Sequence, residues 1–391
     1  MVVQEQEIAA EIVHPLDPTL LRLTDEETQF LHAVIAPDDE DLRAKILDVQ
    51  KRAYEKYPYP CIRAFHFVNL MMIANPIYPT VLAAGRRGGT LFLDLGCCMG
   101  TDVRKLAYDG YPGAQIFGCD LRQEYIELGY ELFGDVDTCP IRFFTSNVFD
   151  LPKTIDPATN NVADPDPSTV TSLIQLRGAL THIYTGALFH LFTEEAQYEL
   201  AVRLVTLLKR VPGAVIFGRH QGRREAGVIN DQYGRDRYGH SEKSWPQLWK
   251  RVFAEAEGEE FAKRVVVHAE LRDQFKPDVF GTPEAICGER KREHLGMKSR
   301  RREAEWTMDV PAAPSTPSPS IRPIRTASRY NDSPEACGLP PLKGFLRFVQ
   351  WEPLYHALDV LRLRKRQAVL GILGRTTGPA SDREPLEQQC N

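Results

Sequence analysis

The stretch Thr90-Leu91-Phe92-Leu93-Asp94-Leu95-Gly96-Cys97-Cys98-Met99-Gly100-Thr101-Asp102 constrains the fold more than any other part of the chain. Leu91 to Leu93 is a short apolar run of the kind that forms a buried parallel strand. It leads to an acid, Asp94, and then through a small-residue turn, Gly96 to Gly100, into Thr101-Asp102-Val103-Arg104-Lys105-Leu106, which reads as the start of a helix. Strand, glycine turn and helix in that order form the unit that holds a nucleoside cofactor at the carboxyl end of an open α/β sheet.

The details discriminate among cofactors. A dinucleotide site needs G-x-G-x-x-G, with helix N–H groups aimed at a pyrophosphate. Counted from Gly96, the third and sixth places hold Cys98 and Thr101. A phosphate loop needs Gly-Lys-Ser/Thr, and here Gly100 is followed by Thr101-Asp102. Acids on both sides of the turn, Asp94 and Asp102, repel phosphate and suit a cationic ligand. S-adenosylmethionine carries an α-amino group and a sulfonium. Asp94 is placed to serve its amino-acid end, directly or through water, with Gly96, Cys97 and Gly100 forming the turn around it. An ordinary glycine turn in an α/β protein is the plainer account of the same residues.

The following segments keep the expected order. Gln115-Ile116-Phe117-Gly118-Cys119-Asp120 reads as a second strand ending in an acid. Asp120, with Leu121 after it, lies about where a ribose-binding carboxylate belongs, a little beyond the usual spacing of about 20 residues. A carboxylate accepts two hydrogen bonds, which matches a 2′,3′-diol. Ile141 to Phe144 reads as a third strand, followed by Asn147-Val148-Phe149-Asp150. The Asn147 side-chain carbonyl is placed to accept from an adenine amino group, while the Val148 backbone N–H donates to a ring nitrogen. Asp150 competes for the first role, or caps the loop.

These residues resemble a known family. Asp94, Gly96 to Cys98, Gly100, Asp102, Arg104 to Leu106, Asp109-Gly110, Gly118, Asp120-Leu121 and Leu128 to Phe133 are similar to the motifs of the fungal class I methyltransferases of meroterpenoid pathways, the austinol and terretonin type. The resemblance begins at Tyr59 to Arg63 and Pro76 to Pro79. It continues through His190-Leu191-Phe192, Gln197, Pro212-Gly213, Gly218-Arg219 and Ser244-Trp245 to Trp249. It implies a Rossmann-like α/β fold: a mostly parallel seven-stranded sheet with helices on both faces, plus an amino-terminal helical segment. It also implies methyl transfer from S-adenosylmethionine, often to a carboxylate of a prenylated polyketide acid, and it suggests a homodimer. Two positions depart from common patterns. Cys98 stands where most methyltransferases have a middle glycine, although the double cysteine fits this family, and Asn147 stands where many members have Asp.

Composition fits such an enzyme. A chain of 391 residues with 43% hydrophobic content is long enough for one large domain with additions. The net charge of −5 argues against a nucleic-acid partner, which calls for a basic surface. The eight cysteines lack paired metal-ligand spacing, so no metal is expected, and free thiols in a reducing cytoplasm are the simplest account. Met1 to Ala10 lacks a basic, apolar signal pattern. The apolar stretch Leu70 to Ala84 is interrupted by Asn75, Pro76 and Pro79, and no membrane span is expected.

The expected organisation is a flexible leader at 1–37, a helical cap at 38–88, a methyltransferase core at 89–281, and a basic, Pro/Ser-rich, disordered insertion at 282–343. A final strand and carboxy-terminal segment follow at 344–373, and a flexible tail at 374–391. Asp38 to Tyr57 reads as an amphipathic helix with Leu42, Ile46, Val49 and Ala53 on one face, and Ile62 to Met72 as a second helix. Within the core, Ala179 to Thr185 is expected as strand four, Ala196 to Lys209 as a helix and Ala214 to Gly218 as strand five. Phe345 to Trp351 is expected to complete the sheet.

The chemistry asks little of side chains if the acceptor is a carboxylate, which is ionised near neutral pH. The enzyme must then align oxygen, methyl carbon and leaving sulfur and exclude water. A phenol acceptor benefits from a base, and His190, after strand four, is the best-placed one. It is equally suited to orient the acceptor by a hydrogen bond, or to packing beside Phe189 and Phe192. His182, inside strand four, reads as structural. Arg219 and His220, after strand five, and Arg63 are candidate partners of an acceptor carboxylate. A lipophilic small-molecule acid is the expected partner, with no nucleic acid and no membrane. A nicotinamide oxidoreductase, and a silent binding protein that retains the fold, are the competing readings.

Overall fold

Capping chemistry explains where the amino-terminal helices begin. The computed structural model describes residues 13–154, 165–230 and 236–273, and the backbone of 302–310, all within the unit Met1–Pro317. Helix α1 (Asp25–Val34) opens on a capping box: the Thr24 hydroxyl accepts from the Glu27 N–H, and the Glu27 carboxylate accepts from the Thr24 N–H. Phe30 and Leu31 are buried on its inner face. This corrects the expectation of a flexible leader for residues 13–37; residues 1–12 lie outside the described residues. Helix α2 (Asp39–Lys56) starts at Asp38, whose carboxylate accepts from the N–H groups of Glu40 and Asp41. Leu42, Ile46, Val49 and Ala53 form its buried stripe, as their spacing requires.

The second expected helix, Ile62 to Met72, is not formed. Helix α3 spans only Pro60–Arg63, and two short 3₁₀ turns follow at His66–Val68 and Met72–Ala74. Phe65 sits in the left-handed region at φ 59°, which stops the helix. The carbonyls of Ile62 and Arg63 are taken instead by the buried Gln50 amide, at 3.2 and 2.8 Å. Helix α4 (Tyr78–Arg87) then leads into the sheet.

Seven strands form one sheet in the order β3-β2-β1-β4-β5-β9-β8. They are β1 (Phe92–Leu95), β2 (Ile116–Asp120), β3 (Arg142–Thr145), β4 (His182–Gly186), β5 (Ala214–Gly222), β8 (Val266–Asp273) and β9 (Arg302–Val310). The first five are mutually parallel, and β9 lies antiparallel between β5 and β8. Helices α5 (Thr101–Tyr108), α6 (Gln123–Phe133), α7 (Glu194–Leu207), α8 (Ser244–Glu257) and α9 (Glu259–Arg264) connect them. A two-stranded hairpin, β6 (Gly227–Asn230) with β7 (Asp236–Gly239), follows β5. This is the mostly parallel, seven-stranded α/β sheet that the resemblance implies. Its strand order reverses beside β1, which places a crevice at the carboxyl ends of β1 and β4.

Within the expected disordered insertion at 282–343, strand β9 corrects the reading for residues 302–310, because Arg302–Val310 pairs with β5 from Gly222↔Arg302 to Ala214↔Val310, while the rest of 282–343 lies outside the described residues. The strand expected at Phe345 to Trp351, with the rest of 344–373 and the tail 374–391, lies outside the described residues.

Alternation along the strands separates two cores. Leu93, Phe117 and Ile216 pack with Leu200, Leu204, Trp245 and Trp249 on the α7–α8 face. Phe92, Ile116, Val215 and Phe217 pack with Val103, Leu106 and Tyr111 on the other. A third cluster joins Phe30, Leu31, Ile46 and Val49 of the amino-terminal helices to Met99, Tyr125, Leu128 and Phe133, so the cap shares its core with the β1–α5 turn and with α6.

Candidate active site

The turn from β1 into α5 is built from left-handed backbone: Gly96, Cys98 and Gly100 have φ of 84°, 52° and 73°. A Cβ on Gly100 would lie 2.5 Å from the Phe143 ring, so glycine is required there by space as well as by torsion. Cys98 adopts the same region with a side chain, at a cost of about 1–2 kcal/mol. Its N–H donates to Asp120 Oδ2 at 2.8 Å. A hydrogen bond to a charged group is worth about 1.5–3 kcal/mol, enough to offset that cost. The N–H groups of Gly96 and Cys97 both donate to the Cys119 carbonyl, at 2.8 and 3.2 Å, and tie the turn to β2.

Three acids surround this turn, each in a different state. Asp94, at the end of β1, is 3% exposed. Its carboxylate has no hydrogen-bond partner among the described residues. Burial pushes its pKa well above the ordinary value, and the charges of Asp102 and Asp120 push it further. Asp120, at the tip of β2, accepts from the N–H groups of Cys98 and Arg122, at 2.8 and 3.0 Å. Burial raises its pKa and those N–H groups lower it.

Asp102 differs from the expectation of an acid turned toward a cationic ligand. Its Oδ1 accepts from the N–H groups of Met71 and Met72, both at 2.9 Å. Burial lifts its pKa to about 6, against the pull of those two donors and of Arg219. Beside it the Thr101 hydroxyl donates to the Phe67 carbonyl, and the Leu70 N–H donates to Glu27 Oε1 at 3.0 Å. The start of α5 is therefore latched to the cap segment 67–72. The sequence analysis missed this use of Thr101 and Asp102; hydrogen-bonding side chains in the first turn of a helix were the available signal.

After β3, Asn147 Oδ1 accepts from the Phe149 N–H at 3.0 Å and caps a 3₁₀ turn, Val148–Asp150. Its carbonyl is engaged locally, which weakens the expected contact with an adenine amino group. Asp150 is the exposed acid of this turn, and it is Asn147, not Asp150, that caps it. Val148 is 7% exposed, and its backbone N–H makes no hydrogen bond among the described residues. Leu121, beside Asp120, is 58% exposed. On the cap side, the Arg122 guanidinium lies 4.3 Å from the Tyr57 ring centre, and the Tyr57 and Tyr59 rings are 4.0 Å apart.

The residues proposed for the acceptor do not form one group. His190 lies in a 3₁₀ turn, Phe189–Leu191, after β4, and its Nδ1 accepts from the Gln221 N–H at 3.3 Å. Arg219, on β5 opposite Gly186, is buried, and its charge holds down the Asp102 carboxyl. His220 is a correction. Strand β5 runs four residues past the expected end at Gly218, so consecutive side chains point to opposite faces. The His220 ring packs 4.3 Å from Trp245 and 6.0 Å from Phe189, and burial pushes its pKa down to about 3. It is a neutral core histidine. Arg63 lies in α3, where its Nε donates to the Pro15 carbonyl at 2.8 Å and its charge acts on Asp17. These contacts join it to the amino-terminal segment. His182 is structural, as expected, with Nδ1 3.1 Å from the Tyr111 hydroxyl.

The donor set fits S-adenosylmethionine. A buried carboxylate without a hydrogen-bond partner among the described residues ends β1, a second carboxylate ends β2, the exposed Leu121 follows it, and the buried Val148 follows β3. Among the described residues no group of acids, histidines and cysteines is arranged to hold a metal, and no helix is long and apolar enough to cross a membrane.

The chain is similar to known proteins. Residues 16–68 match the meroterpenoid methyltransferase N-terminal domain. The chain is 33% identical over 251 residues to the O-methyltransferase phiE of a fungal species, covering 64% of this chain and 74% of that one. It is 32% identical to the asnovolin E/chermesin D methyltransferase nvfJ of Aspergillus novofumigatus, over 59% of this chain and 75% of that one. Methyltransferase adrK of Penicillium roqueforti is 34% identical, over 54% of this chain and 70% of its own. The chain belongs to the fungal meroterpenoid methyltransferases, enzymes that take their methyl group from S-adenosylmethionine.

Proposed function

We propose that this enzyme methylates a carboxylate oxygen of a lipophilic polyketide- or terpenoid-derived acid, forming a methyl ester. The observation that carries the cofactor half of the reading is the Asp94 carboxylate, buried at the tip of β1 without a partner among the described residues. It takes the α-ammonium of the cofactor, Asp120 takes the ribose diol, and Leu121 covers the adenine face. The Val148 N–H donates to an adenine ring nitrogen. Asp150, exposed and not used as a cap, takes the adenine amino group in preference to Asn147. Gly96, Cys97 and Gly100 shape the turn that brings these groups together. When bound, S-adenosylmethionine supplies an electrophilic methyl carbon on a sulfonium.

The acceptor half rests on His190. A neutral imidazole that accepts at Nδ1 carries its proton on Nε2. Because Nδ1 accepts from the Gln221 N–H, the ring proton lies on Nε2. That tautomer holds an anionic oxygen in place and is not set to remove a proton, which favours a carboxylate over a phenol. Arg219, whose charge acts on Asp102, is the candidate source of positive charge for the acceptor. The relative named for asnovolin E and chermesin D supports an acceptor of meroterpenoid type. Free thiols at Cys61, Cys97, Cys98, Cys119 and Cys139 suit a cytoplasmic setting, and the family resemblance favours a homodimer.

The test is transfer of radiolabelled methyl from S-adenosylmethionine to fungal acid extracts, followed by mild alkali. A methyl ester releases its label as methanol, whereas an aryl ether retains it. Retained label would replace the carboxylate reading with a phenol.

A further inference from the structure

We propose that Arg104 is a positioning residue that sets the cofactor turn from beneath, and that Asp135 holds it there. The inference rests on the cofactor reading given above. Arg104 lies one helical turn into α5, with its side chain 6% exposed. Its Nη1 donates to the Met99 carbonyl at 2.7 Å and to the Gly100 carbonyl at 3.4 Å. Its Nε and Nη2 form a two-point fork on the Asp135 carboxylate, at 2.7 and 2.9 Å. The guanidinium carbon lies 4.3 Å from the Phe133 ring centre and 4.9 Å from that of Phe143. A Cβ on Gly100 would lie 2.9 Å from Nη1, so the glycine and the arginine are packed against each other.

These contacts fix one end of the turn. Met99 and Gly100 follow directly on Cys98, whose N–H binds Asp120, and Gly100 N–H closes the turn on the Cys97 carbonyl. The guanidinium thus determines where the Cys98 N–H sits relative to the Asp120 carboxylate that is to receive the ribose. It touches no cofactor atom in this role. A lysine keeps the charge and loses the planar fork, so it cannot bind Asp135 at two points while donating to Met99.

Three variants separate positioning from simple stability. Arg104→Lys removes the fork, and Asp135→Asn leaves Arg104 in place but removes the charge that holds it. Arg210→Lys is the matched control: Arg210 has the same 6% exposure and pairs with Glu257 at 2.8 Å, away from the turn. S-adenosylhomocysteine binding is measured by calorimetry at a temperature well below every melting point, and hydrogen exchange is followed at residues 96–100. All three variants are expected to melt lower. Arg104→Lys and Asp135→Asn are expected to bind the nucleoside about tenfold more weakly and to exchange faster in the turn, because small displacements of positioned groups weaken binding steeply. Arg210→Lys is expected to bind as the wild type does. Wild-type affinity in folded Asp135→Asn and Arg104→Lys overturns the inference, as does equal weakening in Arg210→Lys. A wild type that does not bind S-adenosylhomocysteine overturns the cofactor reading and this inference with it.

Discussion

Replacing Asp94 by Asn should make the protein more stable and its cofactor site worse. The ligand-free carboxylate is buried and unpartnered, with two further acids adding to its cost of ionisation. Asparagine keeps the shape and removes the charge. The charge-assisted bond it forfeits is worth about 1.5–3 kcal/mol, and 1.4 kcal/mol is about a factor of ten. The dissociation constant for S-adenosylmethionine should therefore rise roughly 10- to 150-fold. The ligand-free variant should meanwhile melt a few degrees higher, since relief of about 1 kcal/mol raises the midpoint by about 2–4 °C in a domain of this class. pH gives a second signature. The Asp94 pKa is raised in the free protein, so at low pH a proton must leave before the cation binds. Wild-type affinity should fall as pH drops, from a higher pH than an ordinary carboxylate would set, and the Asp94→Asn profile should be flatter. Calorimetry across pH, with thermal melts of the ligand-free proteins, measures all three. An unchanged dissociation constant, or a lower melting point with unchanged pH dependence, would refute the assignment of Asp94 to the ammonium.

Other outcomes follow from the same geometry. His190→Ala should raise the acceptor KM about tenfold with little change in kcat, and His190→Gln, which retains an acceptor for the Gln221 N–H, should recover much of the loss; a collapse of kcat with a shifted pH–rate profile would instead mark a base. Gly100→Ala adds left-handed strain and a clash with Phe143, and should destabilise by roughly 2–5 kcal/mol in denaturant titrations. His182, His220 and His240 have pKa values pushed down by burial to about 4, 3 and 4. Because the unfolded chain takes up these protons first, stability should be full above pH about 6.5 and fall toward pH 4, by about 2 kcal/mol per histidine at pH 5. Asp102, with its pKa raised to about 6, returns about 1 kcal/mol by pH 5; His220→Leu should flatten the acid limb seen in melts.

The legible parts of the sequence were those specified by neighbours along the chain. The β1–α5 turn, Asp94, Asp120 and the buried stripe of α2 follow from local periodicity and small-residue spacing. Helix α1 carried a capping box at Thr24 and Glu27 that was overlooked. Strand β9 alternates Ala304, Trp306, Met308 and Val310, a period-two signal set within a basic and proline-rich neighbourhood, and its pairing with β5 is remote in sequence. The break at Phe65 could not be read locally, because its left-handed backbone depends on packing beneath α2. His220 was misplaced for a geometric reason: extending β5 past Gly218 sends it to the face opposite Arg219. That Asn147 and not Asp150 caps the turn after β3 could not be read locally, because either residue can cap a turn.

The seat of β9 between β5 and β8 has a consequence for how the protein is made. Until the ribosome has passed residue 310, two long rows of backbone donors and acceptors stand open, each able to template a foreign strand. A polypeptide halted near residue 281 would expose both rows permanently and should clump. Shortened versions meant for crystallisation should keep Arg302–Val310, even though it lies well beyond every residue assigned to the chemistry.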